Sequence, residues 1–308
     1  MKNRLLMPAL LTGLLSGLIA CGPSVDVDEA AIVIDGSSTV YPIVRQGAEL
    51  FMLDNPDVPV AVNFSGTTAG FRLFCDQATD ISAASRAINA DERALCEANG
   101  VTFDRYQIAI DAVAIVTHRR NTWIDSLTFE QLQRIWSPAS EGAVETWQDV
   151  DPAWPDRPLS LYGRGQDSGT FDFFTTQLGE LRQIRQDHVG SEDEEFLALE
   201  ISEDRNSLGY FGLGAYHRHW EELRLLGVDS GDGPEYPSLE SVSAGNYAQL
   251  TRPLYIYVRQ SDDPQRLTDV SVFLTHFFEQ LPQWIPHTGY LPMPPEHYRE
   301  LVTRQSSR

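Results

Sequence analysis

The chain has 308 residues, of which 42% are hydrophobic and 10% aromatic, so it can bury the cores of two lobes. Its formal net charge of −21 argues against binding to nucleic acid or to an anionic membrane surface. The charge does not exclude a small anionic ligand, because exposed charges are screened over about 8–10 Å while donors in a closed cleft act at shorter range.

The first twenty residues have the composition of an export signal. Lys2 and Arg4 precede an apolar run at 5–20 that is shorter than a membrane-spanning helix needs. The run ends in Leu-Ile-Ala-Cys21, which resembles the lipobox of bacterial lipoproteins; the alternative is an ordinary signal peptide with an incidental cysteine. We expect residues 1–20 to be removed, Cys21 to be acylated, and 21–30 to form a tether, with the protein lipid-anchored in the periplasm or at the cell surface.

The first hundred residues alternate between strands, small polar loops and helices. Strands are expected at 31–34 and 58–64, and helices at 43–54, from 71 toward 75, and at 90–99. This alternation predicts a parallel sheet, whose ligands bind at the carboxyl ends of its strands. Three loops rich in Ser, Thr and Gly fall at or near those ends, at 36–40, 65–70 and 82–86.

Cys75 and Cys96 are the cysteines that remain after the export signal. In an exported protein such a pair usually forms a disulfide, and two free buried thiols are the alternative. The sequence has no cluster of cysteines or histidines with metal-ligand spacing, so we expect neither a metal nor a cofactor.

The middle of the chain has helix, loop and strand signals. Residues 112–116 are an apolar strand-like run, and Thr128 with Gln131 has the spacing of a capping box, which predicts a helix ending at 137–138. Residues 147–158, rich in Pro and Asp, predict a long surface loop, and the acidic run at 191–195 predicts a solvated helix start. Further on, 252–258 is predicted as a strand and 269–281 as an amphipathic helix.

The stretch at 159–174, LSLYGRGQDSGTFDFF, is the strongest candidate site. A strand ends near Tyr162, a loop with two glycines follows, and a helix is expected to begin around Ser168. Unpaired N–H groups and the positive dipole end of a helix start favour an oxyanion. Arg164 adds a planar cation suited to two-pronged contact with that anion.

Five motifs and the cysteine pair occur in an order that resembles the phosphate-binding subunit of bacterial high-affinity phosphate ABC transporters. The motifs are DGSSTVYP (35–42), SGTTAGF (65–71), DISAASR (80–86), YGRGQDSGTFDFF (162–174) and LGYFG (208–212). The resemblance implies an α/β, two-lobed periplasmic-binding-protein fold of type II, in which each lobe is a mixed, mostly parallel sheet flanked by helices. One lobe would comprise 31–110 plus 257–308 and the other 111–256, joined by hinge strands at 106–111 and 254–258.

The resemblance also implies a phosphate site with contributions from both lobes. Its expected ligands are Ser38, Thr39, Val40, Thr67, Thr68, Ser85, Arg86, Arg164, Asp167, Ser168, Gly169 and Thr170; which of Thr67 and Thr68 contacts the anion stays open. Some family members have an Asp after the third-loop serine that accepts the proton of hydrogen phosphate. Arg86 stands there and cannot accept a proton, so Asp167 is the candidate acceptor, with a simple helix cap as its alternative.

The implied function is capture of inorganic phosphate outside the cytoplasm and its delivery to the permease of an ABC transporter. A monomer is expected, and the permease and ATPase subunits would be other chains, because this sequence has no G-x-x-x-x-G-K-[ST] loop. Alternatives are a protein for another oxyanion (sulfate, molybdate or a phosphonate) and a phosphate sensor or scavenger without a transport role. An enzyme is not expected, since 165–169 does not have the G-x-S-x-G pattern.

Overall fold

A computed structural model of the chain describes residues 26–179 and 183–306. The predicted export signal at 1–20, Cys21 with its predicted acylation, and about half of the predicted tether at 21–30 lie outside these ranges. Across the ranges that are described, no helix combines the length and the apolar character that crossing a bilayer requires.

Strands and helices alternate along most of the described chain. The strands are β1 (Ile32–Gly36), β2 (Val60–Val62), β3 (Ile81–Ala84), β4 (Phe103–His118), β5 (Ser126–Thr128), β6 (Ser160–Arg164), β7 (Val189–Ser191), β8 (Ser207–Gly212), β9 (Leu223–Asp229), β10 (Pro234–Glu235), β11 (Thr251–Arg259) and β12 (Leu291–Pro292). The helices are α1 (Tyr41–Asp54), α2 (Thr67–Cys75), α3 (Ala90–Ala98), α4 (Phe129–Trp136), α5 (Trp147–Val150), α6 (Gly169–Gln177), α7 (Glu194–Glu203), α8 (Leu213–Arg218), α9 (Leu239–Ala244), α10 (Pro264–Trp284) and α11 (Pro295–Ser306).

The strands follow the order β2-β1-β3-β11-β4-β8-β6-β7. β1 pairs in parallel with β2 and β3, and β6 pairs in parallel with β7 and β8. Between these two parallel groups, β11 and β4 run antiparallel to each other and to their outer neighbours. The predicted α/β fold, with two mostly parallel sheets joined by two strands, is confirmed.

β4 and β11 connect the two lobes. They pair over nine residues of β11, from Thr251 opposite Ala112 to Arg259 opposite Phe103. Beyond this pairing, β4 continues along β8 and β9. The segments expected to cross between the lobes, 106–111 and 254–258, lie within this pair.

Buried hydrophobic side chains form a separate core on each side of the crossing strands. One core draws on residues between 32 and 109 and between 254 and 301, and the other on residues between 112 and 250. A smaller cluster surrounds Cys75 and Cys96, with Phe71, Phe74 and Tyr257. Each lobe therefore has its own apolar interior, and polar residues can occupy the cleft between them.

Local signals in the sequence were correct to different degrees. The Thr128 hydroxyl accepts from the Gln131 N–H at 3.1 Å and the Gln131 side chain accepts from the Thr128 N–H at 2.9 Å, which confirms the capping box. The surface loop predicted over 147–158 is wrong at its start, because 147–150 form α5. The Trp147 ring is fully buried and packs edge-on against Trp123 and Trp154.

The predicted disulfide between Cys75 and Cys96 is present and joins α2 to α3. Replacing both cysteines with alanine is expected to lower the free energy of unfolding by about 3 kcal/mol, because the unfolded chain loses a cross-link that closes a loop of about 20 residues. Urea denaturation followed by circular dichroism measures this difference, and anion binding below the transition should be retained. An unfolding curve that matches the wild type would contradict the stabilising role.

Candidate functional site

The turn between β6 and α6 has the geometry of an anion site. β6 ends at Arg164, two residues beyond the end predicted near Tyr162, and α6 begins at Gly169 with Ser168 as its N-cap, as predicted. The Ser168 hydroxyl oxygen accepts from the N–H of Thr170 at 3.1 Å and from Arg164 Nε at 3.0 Å. The guanidinium is thereby held against the helix start, where the dipole favours negative charge.

Three loops of the first lobe meet at the carboxyl ends of β1, β2 and β3. α1 follows β1 through Ser38 and Thr39, α2 begins at Thr67, and Ser85 directly follows β3. All four of these hydroxyl side chains are buried, the Thr39, Thr67 and Ser85 residues completely. The parallel pairing of β1 with its neighbours brings the loops to one edge of the sheet, as the sequence predicted.

These loops contact the β6–α6 turn across the cleft. Arg164 Nη2 donates to the Ser38 hydroxyl at 2.5 Å, and the Thr39 and Thr170 hydroxyl oxygens lie 3.3 Å apart. Gly169 faces Thr67 and Ser85 so closely that a Cβ atom on it would lie 2.6 Å from each hydroxyl oxygen. The structure therefore brings seven of the twelve predicted ligands into one buried cluster: Ser38, Thr39, Thr67, Ser85, Arg164, Gly169 and Thr170, with Ser168 beside them as the cap.

Val40 and Thr68 lie outside the buried cluster of hydroxyl side chains. The Val40 side chain belongs to the first core, and its N–H donates to the Ser37 carbonyl at 3.1 Å. The Thr68 N–H donates to the Asp167 carbonyl at 2.9 Å, and its hydroxyl accepts from Arg86 at 2.8 Å. Of the two threonines left open, Thr67 lies in the buried cluster and Thr68 lies in a network between the lobes.

Arg86 is engaged by protein groups on all its nitrogens. It donates to both Glu92 carboxylate oxygens, at 2.6 and 2.8 Å, and to Asp172 of α6 at 2.6 Å. Its other contacts are the Thr68 hydroxyl and the Ala87 carbonyl. Burial lowers the pKa of Arg86, but the two carboxylates outweigh burial and the net shift is upward. Arg86 therefore joins the lobes beside the cluster through an ion pair.

Asp167 lies at the rim of the cleft. Its side chain is 42% exposed and pairs with Arg72 on α2, while its carbonyl receives the Thr68 N–H. The neighbouring Gly66 has a φ of +97°, and a Cβ atom on it would lie 2.6 Å from that carbonyl. The backbone at Asp167 is thus closely packed on the first lobe, and its carboxylate is turned to an arginine.

The acidic run at 191–195 contains a site residue that the sequence prediction missed. Only 2% of Glu194 is exposed, although the run was expected to be a solvated helix start. Glu194 Oε1 accepts from the Thr39 hydroxyl at 2.7 Å and lies 3.4 Å from Arg164 Nη1. The expectation is met at Glu195, whose exposed carboxylate pairs with Arg218 and His219.

Glu192 lies on the other side of Arg164. Its Oε1 accepts from the Asp167 N–H at 3.1 Å, and its Oε2 lies 3.6 Å from Arg164 Nη2. Burial raises the pKa of Glu192, although the charge of Arg164 opposes that shift. The residue two positions after Arg164 is Gln166, which carries no charge. The acids that flank Arg164 are instead Glu192 and Glu194, nearly thirty residues further along the chain.

A second buried arginine, also missed, lies on the crossing strands. Arg252 of β11 stands opposite Asp111 of β4 and donates to its Oδ2 from Nη2 at 2.8 Å and from Nε at 3.2 Å. Arg252 Nη2 also donates to the Thr39 hydroxyl at 3.4 Å. Burial raises the pKa of Asp111, and the Arg252 charge opposes that shift. The pair connects the hinge directly to the hydroxyl cluster.

The arrangement suits a small, tetrahedral oxyanion. Hydroxyl groups, backbone N–H groups at a helix start and a guanidinium all donate hydrogen bonds, and they converge from both lobes. Charge-assisted contacts of this kind are about twice as strong as neutral ones.

Comparison with known proteins agrees with this geometry. Residues 24–278 match the family described as a PBP superfamily domain. Protein SphX of Synechocystis sp. is 42% identical over 289 residues, which cover 92% of this chain and 84% of that protein. The phosphate-binding protein PstS of Staphylococcus saprophyticus is 34% identical over 289 residues, which cover 91% of this chain and 87% of that protein.

A solved structure also resembles this chain over most of its length. The crystal structure of a possible phosphate binding protein from Planctomyces limnophilus is 29% identical and has a TM-score of 0.62, covering 90% of this chain and 97% of that one. The family predicted from the motifs is confirmed. This chain therefore belongs to the PBP superfamily and, within it, to the family of the PstS and SphX proteins.

Proposed function

We propose that this protein binds inorganic phosphate outside the cytoplasm, between its two lobes, and delivers it to the permease of an ABC transporter. One observation carries the proposal: the buried Arg164 guanidinium donates at once to Ser38 of the first lobe and to Ser168 of the second. An anion held at this point would contact both lobes and favour their closure. The names of the PstS relatives support phosphate as that anion.

The proposed ligand set is narrower than the one expected from the sequence. It keeps the buried cluster and the helix start: Ser38, Thr39, Thr67, Ser85, Arg164, Ser168, Gly169 and Thr170. Thr68, Arg86 and Asp167 are assigned to holding the lobes together around the anion, because the Thr68 N–H, the Arg86 guanidinium and the Asp167 carboxylate are each already bonded across the cleft. Val40 is assigned to the first core.

The proposal also includes the organisation of the chain. The first lobe comprises 31–110 and 257–308 and the second 111–256; residues 1–20 are an export signal, and the acylated Cys21 anchors a monomer to the membrane. The permease and ATPase are other chains, and the protein binds its ligand without catalysis.

Replacing Cys21 with serine should move the protein from the membrane to the soluble fraction on centrifugation; a variant that sediments like the wild type would contradict the anchor.

Isothermal titration of ligand-stripped protein with phosphate, sulfate and molybdate tests the proposed ligand. We expect one phosphate per chain, bound more than about a hundredfold tighter than either other anion. Tighter binding of sulfate or molybdate would reassign the ligand, and failure to bind any of the three would overturn the proposal. Hydrolysis of a chromogenic phosphate ester would contradict a purely binding role.

Replacing Gly169 with alanine tests the close contact across the cleft. The added methyl group would collide with Thr67 and Ser85, so the lobes could not reach the observed distance. Overpacking of this kind costs about 1–3 kcal/mol, which corresponds to phosphate binding about five- to 150-fold weaker. Titration calorimetry measures the change, with Gln177→Ala at the exposed end of α6 as the control. Equal affinity of G169A and wild type would show that closure tolerates the methyl group.

A further inference from the structure

Arg252 is a second buried cation beside the proposed anion position. Its side chain is 1% exposed, and its Nη1 has no hydrogen-bond partner within residues 26–179 and 183–306. The guanidinium stays protonated in proteins, so Nη1 always carries hydrogen-bond donors. A buried donor without an acceptor is costly, and such a group in a folded protein indicates an acceptor that it meets in use.

The other two nitrogens of Arg252 hold the group in place. Nε and Nη2 both donate to Oδ2 of Asp111, which stands opposite on β4. Asp111 is fixed in turn by the Leu213 N–H, which donates to its Oδ1 at 3.1 Å. A guanidinium is planar and its donors form a rigid fork, so the pair with Asp111 also fixes the direction of Nη1. The orientation of this donor is therefore set by contacts within the protein.

Contacts with both lobes place Arg252 next to the proposed ligands. Its Nη2 lies 3.4 Å from the Thr39 hydroxyl, and that hydroxyl lies 3.3 Å from the Thr170 hydroxyl. On the side of the second lobe, the guanidinium carbon lies 5.9 Å from the centre of the Phe173 ring, on the helix that begins at Gly169. Arg252 thus contacts both the first-lobe loop that carries Thr39 and the helix whose start is the proposed anion site.

The charges in the cleft favour a second cation at the anion. Arg164 lies 3.4 Å from a carboxylate oxygen of Glu194 and 3.6 Å from one of Glu192. An anion bound to Arg164 alone would therefore meet one cation with two acids beside it. Contact with Arg252, which pairs with Asp111, supplies the second positive charge. Hydrogen bonds from a charged donor to a charged acceptor are about twice as strong as neutral ones.

We propose that Arg252 is a second guanidinium ligand of the bound phosphate, donating from Nη1 to one of its oxygens. The inference rests on the proposed function and adds a residue of the crossing strands to the proposed ligand set. Asp111 is then a positioning residue, because it acts on the anion only through Arg252. Since β11 joins the two lobes, the anion contacts each lobe and also a strand that connects them.

The test compares the phosphate affinity of Asp111→Asn with that of the R252M/D111N double variant, by titration calorimetry of ligand-stripped protein. Both variants lose the ion pair between the crossing strands, and they differ only in whether the Arg252 guanidinium is present. We expect the double variant to bind phosphate at least about tenfold more weakly than D111N, because only D111N keeps the charged donor. Thermal melting checks that each variant is folded.

The outcomes separate a ligand from a structural residue. If Arg252 only fastens the hinge strands through Asp111, D111N and the double variant bind phosphate equally, which overturns the inference. If either variant does not fold, Arg252→Lys is compared with wild type instead. Lysine keeps the charge without the planar fork, so R252K must bind phosphate more weakly for the inference to stand, and equal affinity overturns it.

The same titrations distinguish this inference from the proposed function. Wild-type protein that binds no phosphate would overturn the proposed function, and the inference with it. Wild-type protein that binds phosphate, together with equal affinities of D111N and the double variant, would overturn the role of Arg252 alone.

Discussion

Replacing Arg164 with alanine is expected to weaken phosphate binding by two to four orders of magnitude. The side chain is buried, lies at the helix start of α6 and reaches groups of both lobes. Each hydrogen bond to a charged group contributes about 1.5–3 kcal/mol, and a guanidinium can grip two oxygens, so its loss should cost about 3–6 kcal/mol. Titration calorimetry with phosphate measures the loss.

Arg72→Ala is the matched control for this variant. It removes the same charge from the rim of the cleft, where the side chain is 55% exposed and its ion pair with Asp167 is screened by solvent. We expect R72A to bind within a few fold of wild type. Arg164→Lys keeps the charge but not the planar fork, so its affinity should fall between wild type and R164A. Phosphate affinity in folded R164A within a few fold of wild type would rule out the proposed site.

The part of the site that local sequence order determines was predictable. Ser168 follows a strand, directly precedes a helix and satisfies that helix's first N–H groups, and the motif around it contains both glycines and Arg164. The first-lobe loops were predictable for a related reason, since parallel strands bring their carboxyl ends to one edge. The alternation of strands and helices was sufficient to place Ser38, Thr67 and Ser85 near one another.

The contacts that the acids of the site make with distant residues were not predictable from local order. Asp167 pairs with Arg72, which lies 95 residues earlier in the chain, and Glu194 receives a hydrogen bond from Thr39, 155 residues away. An acid at the start of a helix is favoured there by the dipole whether it is exposed or buried. The acidic run at 191–195 therefore did not indicate that Glu194 would be buried. Glu194 contacts Thr39 of the other lobe, and no local pattern in the sequence records such a contact.

Replacing Arg252 with methionine is expected to destabilise the protein by about 3–5 kcal/mol. The side chains of Arg252 and Asp111 on the crossing strands are at most 1% exposed. Removal of the arginine therefore leaves a buried carboxylate without its counter-charge. Methionine fills most of the volume of the arginine stem, so the loss is mainly electrostatic. Urea denaturation at pH 7 measures it, and Asp111→Asn in the same chain should restore part of the stability because the uncompensated charge is gone.

The pH dependence of R252M distinguishes this cause from a packing defect. Burial raises the folded-state pKa of Asp111, and the variant lacks the arginine that opposes the shift. A carboxyl group whose pKa is higher folded than unfolded is protonated in both states below about pH 4, where it costs the fold nothing. As the pH rises from there through the raised folded value, the unfolded chain releases the proton more readily and the folded state loses stability. The free energy of unfolding that R252M loses relative to wild type should therefore grow from pH 4 to pH 7, and the loss should be smaller in the R252M/D111N double variant. A loss that does not depend on pH would instead indicate a packing defect.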